Sequence, residues 1–208
     1  MARPRRVSAA ARWGRRPPCA GFSAVEILVV LAMLGIVALQ AAPGFVAWRQ
    51  RQRLDAAVRE AGLQLGRACA LAAASGRTHA VQFEAGGNDL GWVLVADGDG
   101  DGVSAADVAA GVDAPIDAAV RLSVAFPGVT PGRPAGVPTV AGGAADTHGL
   151  AFGGAGTVSC SADGGARSGT LYLSAAGRQA AALRVYGPTA RLSLWWWESP
   201  PGAWLRLR

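Results

Sequence analysis

The most prominent pattern along the chain is an apolar run from Phe22 to Ala47. Within it only Ser23, Glu26 and Gln40 are clearly polar. As a helix rising about 1.5 Å per residue, the run would be roughly 39 Å long, which exceeds the hydrocarbon core of a bilayer at about 30 Å. The run therefore predicts a membrane-spanning helix. Glu26 stands out there, because a carboxylate in a membrane is costly unless it is paired.

A second pattern follows, in which apolar side chains recur at steps of three and four residues, the spacing of one helix face. The stripe consists of Leu54, Val58, Ala61, Leu65, Cys69 and Ala72. Gly76 follows Ser75 and predicts the end of the helix. We expect one long helix with a membrane half and an amphipathic half, whose stripe packs on a sheet.

Beyond Gly76 the apolar period changes to two, as in β-strands. Thr78–Glu84 and Gly91–Ala96 flank a turn at Gly86–Asp89 and predict a hairpin. Further predicted strands are Val120–Val124, Leu150–Phe152, Gly169–Ser174, Leu183–Tyr186 and Ala190–Trp196. Residues 127–149 contain four prolines and six glycines and predict a long loop without regular structure. A long helix followed by antiparallel strands predicts an α+β fold.

The residues before the apolar run form a motif. Gly21 precedes Phe22, Glu26 follows four residues later, and six arginines lie within residues 1–21. These arginines predict that the N-terminus stays in the cytoplasm. The combination resembles the class III leader of type IV prepilins and pseudopilins. It implies that a membrane aspartyl peptidase cuts after Gly21 and that the new N-terminal residue, Phe22, is methylated.

The same resemblance assigns assembly roles to Glu26 and Pro43. Glu26 of one subunit is expected to pair with the freed amine of Phe22 in a neighbour, so that two costly charges together set the stagger of helices in a filament. A proline at the distance of Pro43 from the mature N-terminus is frequent in type IV pilins and FimT-like proteins. Over residues 17–80 the chain resembles the GspH/FimT subgroup, whose long helix packs on an antiparallel β-sandwich head.

The resemblance implies four parts: a leader peptide (1–21), a membrane-spanning half-helix (22–47), an amphipathic half-helix (48–76) and a β-rich head (77–208). The implied protein is a minor pseudopilin or pilin of a type II secretion pseudopilus or a type IV pilus, without enzymatic activity. Its partners would be other pilin subunits, the prepilin peptidase, the assembly platform protein and its ATPase. It would cross the inner membrane once, with its head in the periplasm, and then enter a filament.

Two other interpretations stay open. The first is a signal-anchored periplasmic β-rich binding domain that does not assemble, for which replacement of Glu26 would be harmless. The second is a FimT-like minor pilin that takes part in DNA uptake. Some FimT-like proteins bind DNA through a C-terminal Gly-Arg-x-Arg element, whereas this chain has Gly177-Arg178-Gln179-Ala180 and lacks the second arginine. The candidate DNA contacts are Arg178, Arg184 and Arg191.

Charge changes this picture little. The chain carries a formal net charge of +6, but its basic residues are all arginine and six of them belong to the predicted leader. The remainder is formally neutral, with an acidic half at 22–120 and a basic half at 121–208. Such asymmetry suits subunit contacts or an anionic ligand. Because the sequence contains no lysine, P-loop, Schiff-base and lysine-nucleophile chemistry are excluded.

Cysteine and histidine offer no catalytic centre. Cys19 would leave with the leader, and Cys69 and Cys160 would remain in oxidising surroundings, either as one disulfide or as two buried thiols. His79 and His148 lack metal-ligand spacing.

An acidic stretch suggests a metal. Asp97, Asp99 and Asp101 alternate with glycine, as in the first half of an EF-hand calcium loop. The second half does not match, because Val108 occupies the twelfth position. The stretch predicts either a calcium site or a tight solvated turn.

Three consecutive tryptophans lie near the C-terminus. In a strand, alternation sends Trp195 and Trp197 to one face and Trp196 to the other. This predicts either a ring in the core or an aromatic contact to a neighbouring subunit.

Overall fold

The structure is a computed structural model that describes residues 21–140, 149–153, 156–176, 179–198 and 202–207. It has one long N-terminal helix followed by antiparallel β-sheets, an α+β arrangement. The chain divides into two compact units, Met1–Ala42 and Pro43–Arg208. Residues 1–20 of the predicted leader, with Cys19, lie outside the described residues, as do His148 and Arg178.

Helix α1 spans Ala24–Ser75 and contains Pro43. Gly76 follows with a φ of 69°, a left-handed conformation that glycine adopts without strain, so the predicted helix end is confirmed. Every residue from 21 to 49 is exposed. By length and composition this helix is a candidate membrane span near the N-terminus. Signal sequences meet the same criteria of length and composition.

The other elements are short. Helices α2 and α3 are Ala105–Ala110 and Leu122–Ala125, and a 3-10 turn covers Gly187–Thr189. The strands are β1 His79–Gly86, β2 Asp89–Ala96, β3 Ala114–Pro115, β4 Val120–Arg121, β5 Val129–Pro131, β6 Leu150–Ala151, β7 Thr157–Cys160, β8 Gly169–Ala175, β9 Gln179–Tyr186, β10 Arg191–Glu198 and β11 Ala203–Arg206.

These strands form two antiparallel sheets. Sheet A has the order β3-β2-β1-β7, with β4 also paired to β2. Sheet B has the order β11-β10-β9-β8-β5, with β6 also paired to β8. The predicted hairpin is confirmed, since β1 and β2 pair from His79 opposite Ala96 to Gly86 opposite Asp89.

Two predictions about the middle of the chain were wrong. The predicted strand Val120–Val124 stops at Arg121, and α3 follows. The reason is tertiary, because the Asp89 carboxylate accepts hydrogen bonds from both the backbone N–H and the hydroxyl of Ser123. These bonds hold the chain in a helical turn. The predicted loop at 127–149 contains a strand, β5, which pairs with β8.

The amphipathic half of α1 lies in the core, as its stripe predicted. Its buried residues are Leu54, Ala57, Val58, Ala61, Leu65, Ala68 and Ala72. They belong to one buried cluster with side chains from both sheets, such as Leu94 and Leu183. The helix backbone comes close to β9, since a Cβ added at Gly62 would lie 3.5 Å from Cδ1 of Leu183.

A covalent bond also links the helix to sheet A. Cys69 of α1 and Cys160 at the end of β7 form a disulfide, with their Cα atoms 4.9 Å apart. Of the two states that the sequence left open, the structure contains the disulfide. It joins two residues 91 positions apart in the sequence, and such a closure restricts the unfolded chain.

Replacement of Leu183 tests the packing of α1. Leu183→Ala is expected to lower the free energy of unfolding by about 2–5 kcal/mol, because it removes buried methyl groups and leaves a cavity. The control is Leu63→Ala, since Leu63 lies on α1 and is 69% exposed. Urea unfolding of the full chain in detergent micelles, followed by tryptophan fluorescence, measures both. If both variants lowered the free energy of unfolding by the same amount, the packing of α1 against Leu183 would be contradicted.

Removal of the disulfide tests its contribution to stability. The double variant Cys69→Ala/Cys160→Ala should unfold with a free energy about 2–4 kcal/mol lower, because the unfolded chain gains conformational freedom. The same unfolding experiment with and without a reductant provides the control. The reductant should destabilise the original chain and leave the double variant unchanged. If the reductant left the free energy of unfolding of the original chain unchanged, the disulfide would be contradicted.

Candidate functional site

The predicted processing and assembly residues lie at the start of α1. Gly21 and Phe22 precede the helix, and the Ser23 hydroxyl accepts a hydrogen bond from the Val25 N–H at 3.4 Å. Glu26 lies in the first helical turn, where a negative charge interacts favourably with the helix dipole. Within the described residues Glu26 forms no ion pair, so its carboxylate is open to a partner.

The alternating aspartates occupy the loop between β2 and α2. Oxygen atoms of Asp97, Asp99 and Asp101 lie within 4.8 Å of one another. Asp97 is buried, and its carboxylate accepts backbone hydrogen bonds from Gly100 at 2.7 Å and Gly102 at 3.2 Å. Calcium binding stays a prediction, since these internal bonds suffice to explain the position of Asp97.

Close approach of the backbone requires a glycine at position 98, and the two exposed aspartates of this loop interact electrostatically. A Cβ at Gly98 would lie 2.0 Å from the Val112 carbonyl oxygen, so only glycine fits there. Asp99 and Asp101 are exposed. The hydrogen bond with the Asp99 side chain, followed by its negative charge, raises the pKa of Asp101.

Sequence reasoning missed Asp113, the second anchor of the acidic loop. Asp113 is fully buried, and its carboxylate accepts hydrogen bonds from the Gly98 N–H and the Ser104 N–H, each at 3.0 Å. Its sequence position gives no signal, because the contact to Gly98 spans 15 residues. A cavity of about 670 Å³ lies beside this loop and is lined by Asp101, Asp107 and several serine hydroxyls.

The basic residues of the C-terminal half partly converge. Arg184 of β9 and Arg191 of β10 line one pocket of about 320 Å³. The same pocket is also lined by Arg206, Tyr186 and Ser193, for which the sequence predicted no site. Trp195, for which it predicted a core or subunit contact, completes the lining. The alternation of side chains along β10 predicts which of its residues share this face. Only the pairing of β10 with β9 and β11 brings the three arginines together.

The predicted alternation of the tryptophans is confirmed. Trp196 is 7% exposed and belongs to the buried cluster, and the guanidinium carbon of Arg51 lies 5.3 Å from its ring centroid. Trp197 lies on the opposite face and packs edge-on against Trp204, with centroids 5.6 Å apart. Trp195, on the face of Trp197, is partly exposed in the pocket.

No protein-family model, curated protein or solved structure matches the chain. The chain itself has, within its described residues, three candidate functional sites: the N-terminal segment of α1, the acidic loop and the arginine pocket.

Replacement of Asp113 tests whether the acidic loop is held by its own hydrogen bonds. Asp113→Ala is expected to lower the free energy of unfolding by about 1–3 kcal/mol, because two backbone N–H groups lose a buried, charged acceptor. The matched control, Asp99→Ala, removes an exposed carboxylate and should change it by less than about 0.5 kcal/mol. Urea unfolding in calcium-free buffer measures both. A loss for Asp99→Ala as large as for Asp113→Ala would contradict this account.

Proposed function

We propose that the chain is a minor pseudopilin or pilin, a structural subunit that joins a type II secretion pseudopilus or a type IV pilus through its N-terminal helix. The observation that carries the proposal is the start of α1. There an exposed apolar helix begins at Ala24, two residues after Phe22, and holds Glu26 in its first turn. Cleavage after Gly21 would make Phe22 the N-terminus, with its amine close in sequence to this carboxylate.

The apolar surface of this segment supports assembly in a membrane. Large side chains such as Leu28, Leu31 and Leu39 are more than 60% exposed. An exposed apolar surface of this extent is unfavourable in water and marks an interaction with lipid or protein. Neighbouring helices would cover it in a filament, and lipid would cover it before assembly.

Charge supports a specific stagger between subunits. A lone Glu26 in an apolar environment is costly, and so is a lone N-terminal amine. Pairing the two between neighbours lowers both costs and fixes the axial offset of one helix against the next. Pro43 would lie near the end of the membrane-spanning part.

The remainder of the chain would be the head of the subunit. Its two antiparallel sheets share a buried cluster with the amphipathic half of α1, which supports a sandwich-type head outside the inner membrane. The disulfide suits an oxidising compartment. The implied partners are other pilin subunits, the prepilin peptidase, the platform protein and its ATPase.

Processing is the first test of the proposal. Intact mass and N-terminal sequencing of the protein from membranes of its own host should reveal a chain that begins at Phe22 and carries one extra methyl group. Gly21→Ala should leave the chain uncut. A chain that begins at Met1, or one cut after Ala41 or Ala42, would contradict prepilin processing and favour an anchored or secreted β-rich domain.

Glu26→Gln separates processing from assembly. The variant should be cut like the original chain, because Gly21 and Phe22 are intact. It should be lost from the sheared filament fraction, because the neighbour's amine has no carboxylate. The matched control is Gln40→Ala, which changes a polar residue in the same apolar run and should assemble normally. Normal assembly of Glu26→Gln would contradict the pairing role of Glu26, whereas absence of the original chain from the filament fraction would favour the signal-anchored binding domain.

A further inference from the structure

The arginine pocket lies on the face of sheet B that points away from α1. Cross-strand pairing determines its composition. Tyr186 lies opposite Arg191, Arg184 opposite Ser193, and Trp195 opposite Arg206. Paired residues in antiparallel strands send their side chains to the same face. Three neighbouring strands thereby place three guanidinium groups around one pocket of about 320 Å³.

The charge of this pocket has no counterpart among the described residues. The ion pairs among the described residues involve Arg51, Arg59, Arg67 and Arg121, and none of them involves an arginine of the pocket. Three like charges along the lining of one pocket repel one another. A bound anion would relieve the repulsion, and arginine forms bidentate hydrogen bonds with phosphate and carboxylate groups.

The pocket also offers an apolar ring surface. Trp195 is partly exposed, and its Nε1 donates a hydrogen bond to the Ser193 hydroxyl at 3.3 Å. Tyr186, at the end of β9, is 54% exposed. Indole and phenol rings can pack against the face of a bound ring while their polar atoms bind other groups.

The size and surroundings of the ring surface favour a small ligand. Trp197 and Trp204 pack on each other, and the Trp204 Nε1 donates to the Pro138 carbonyl at 2.8 Å. Both rings are partly exposed, like Trp195, but they pack on each other and do not line the pocket. A long single strand of nucleic acid uses successive open rings along a groove, whereas a pocket of a few hundred cubic ångströms suits a small molecule.

We propose that Arg184, Arg191 and Arg206 bind a phosphate or carboxylate group carried on a ring, and that the ring packs on Trp195. The ligand class includes sugar phosphates, sugar acids and nucleotides, which share an oxyanion attached to a ring. Such binding goes beyond the structural role proposed above and does not depend on filament assembly.

Isothermal titration of the full chain in detergent micelles tests the ligand class. The probes are glucose 6-phosphate, glucuronate and adenosine monophosphate. Glucose and inorganic phosphate each supply half of the proposed ligand. At least one ring-borne oxyanion should bind about tenfold more tightly than inorganic phosphate, and glucose should not bind. The probe that binds best identifies the ring. Equal affinity for glucose, or for inorganic phosphate, would overturn the proposal.

Substitutions locate the binding site. Arg184→Gln and Arg206→Gln should each weaken binding about tenfold, because each removes a charge-assisted hydrogen bond worth about 1.4 kcal/mol or more. The matched control is Arg121→Gln, since Arg121 is a half-exposed arginine of sheet A, 3.8 Å from Glu84; it should leave affinity unchanged. Near-UV circular dichroism verifies that each variant is folded. Equal affinity of all three variants and the original chain would overturn the site.

A polymer is the remaining outcome to separate. Oligothymidylate of 20 nucleotides is titrated beside the small probes under the same salt conditions. If it binds through Arg184 and Arg206 while none of the small probes does, the pocket is part of a nucleic-acid track and the small-ligand proposal is wrong. Tight binding of a small probe that oligothymidylate does not displace supports the proposal.

Discussion

Burial of one face of α1 is the constraint on which the rest of the head depends. Its buried stripe contains four alanines, at 57, 61, 68 and 72, and small side chains allow a helix to approach its neighbours closely. Gly62 extends this approach to Leu183 of β9. Side chains from both sheets then complete one buried cluster around the helix. Because a sheet must bury its apolar face against another element, this face of α1 provides a packing partner for both sheets.

The same helix meets two different environments. Its residues from 21 to 49 are exposed and largely apolar, whereas its later turns bury their apolar stripe. The disulfide ties only the later part, through Cys69, to sheet A. The β-sheets thus pack around one half of the helix and leave the other half exposed, and in the proposed filament that half would contact lipid or neighbouring helices. That division is the physical basis of the proposed filament role.

Sheet B likewise has two faces with different tasks. Leu183 and Trp196 point into the buried cluster, whereas Arg184 and Trp195, one residue away in each strand, point outward. Because the side-chain period of a strand is two, core and surface are specified by the same short segments. The core face fixes the register of β9 with β10, and the pairing of β10 with β11 then brings Arg206 to the same pocket as Arg184 and Arg191.

The sequence by itself determined the elements whose signal is local. The stripe of α1, its end at Gly76, the β1–β2 hairpin and the opposite directions of Trp195 and Trp196 all follow from periodicity and from a glycine or turn. The spacing of Gly21, Phe22 and Glu26 is also local, and the processing and assembly roles that it predicts stay predictions. Only the tertiary structure decided the features that join distant segments. These are the Cys69–Cys160 disulfide, the turn held by Asp89 and Ser123, the Asp113 anchor and the entry of Arg206 into the pocket. Each depends on strand register or on contacts across many residues, which no local pattern encodes.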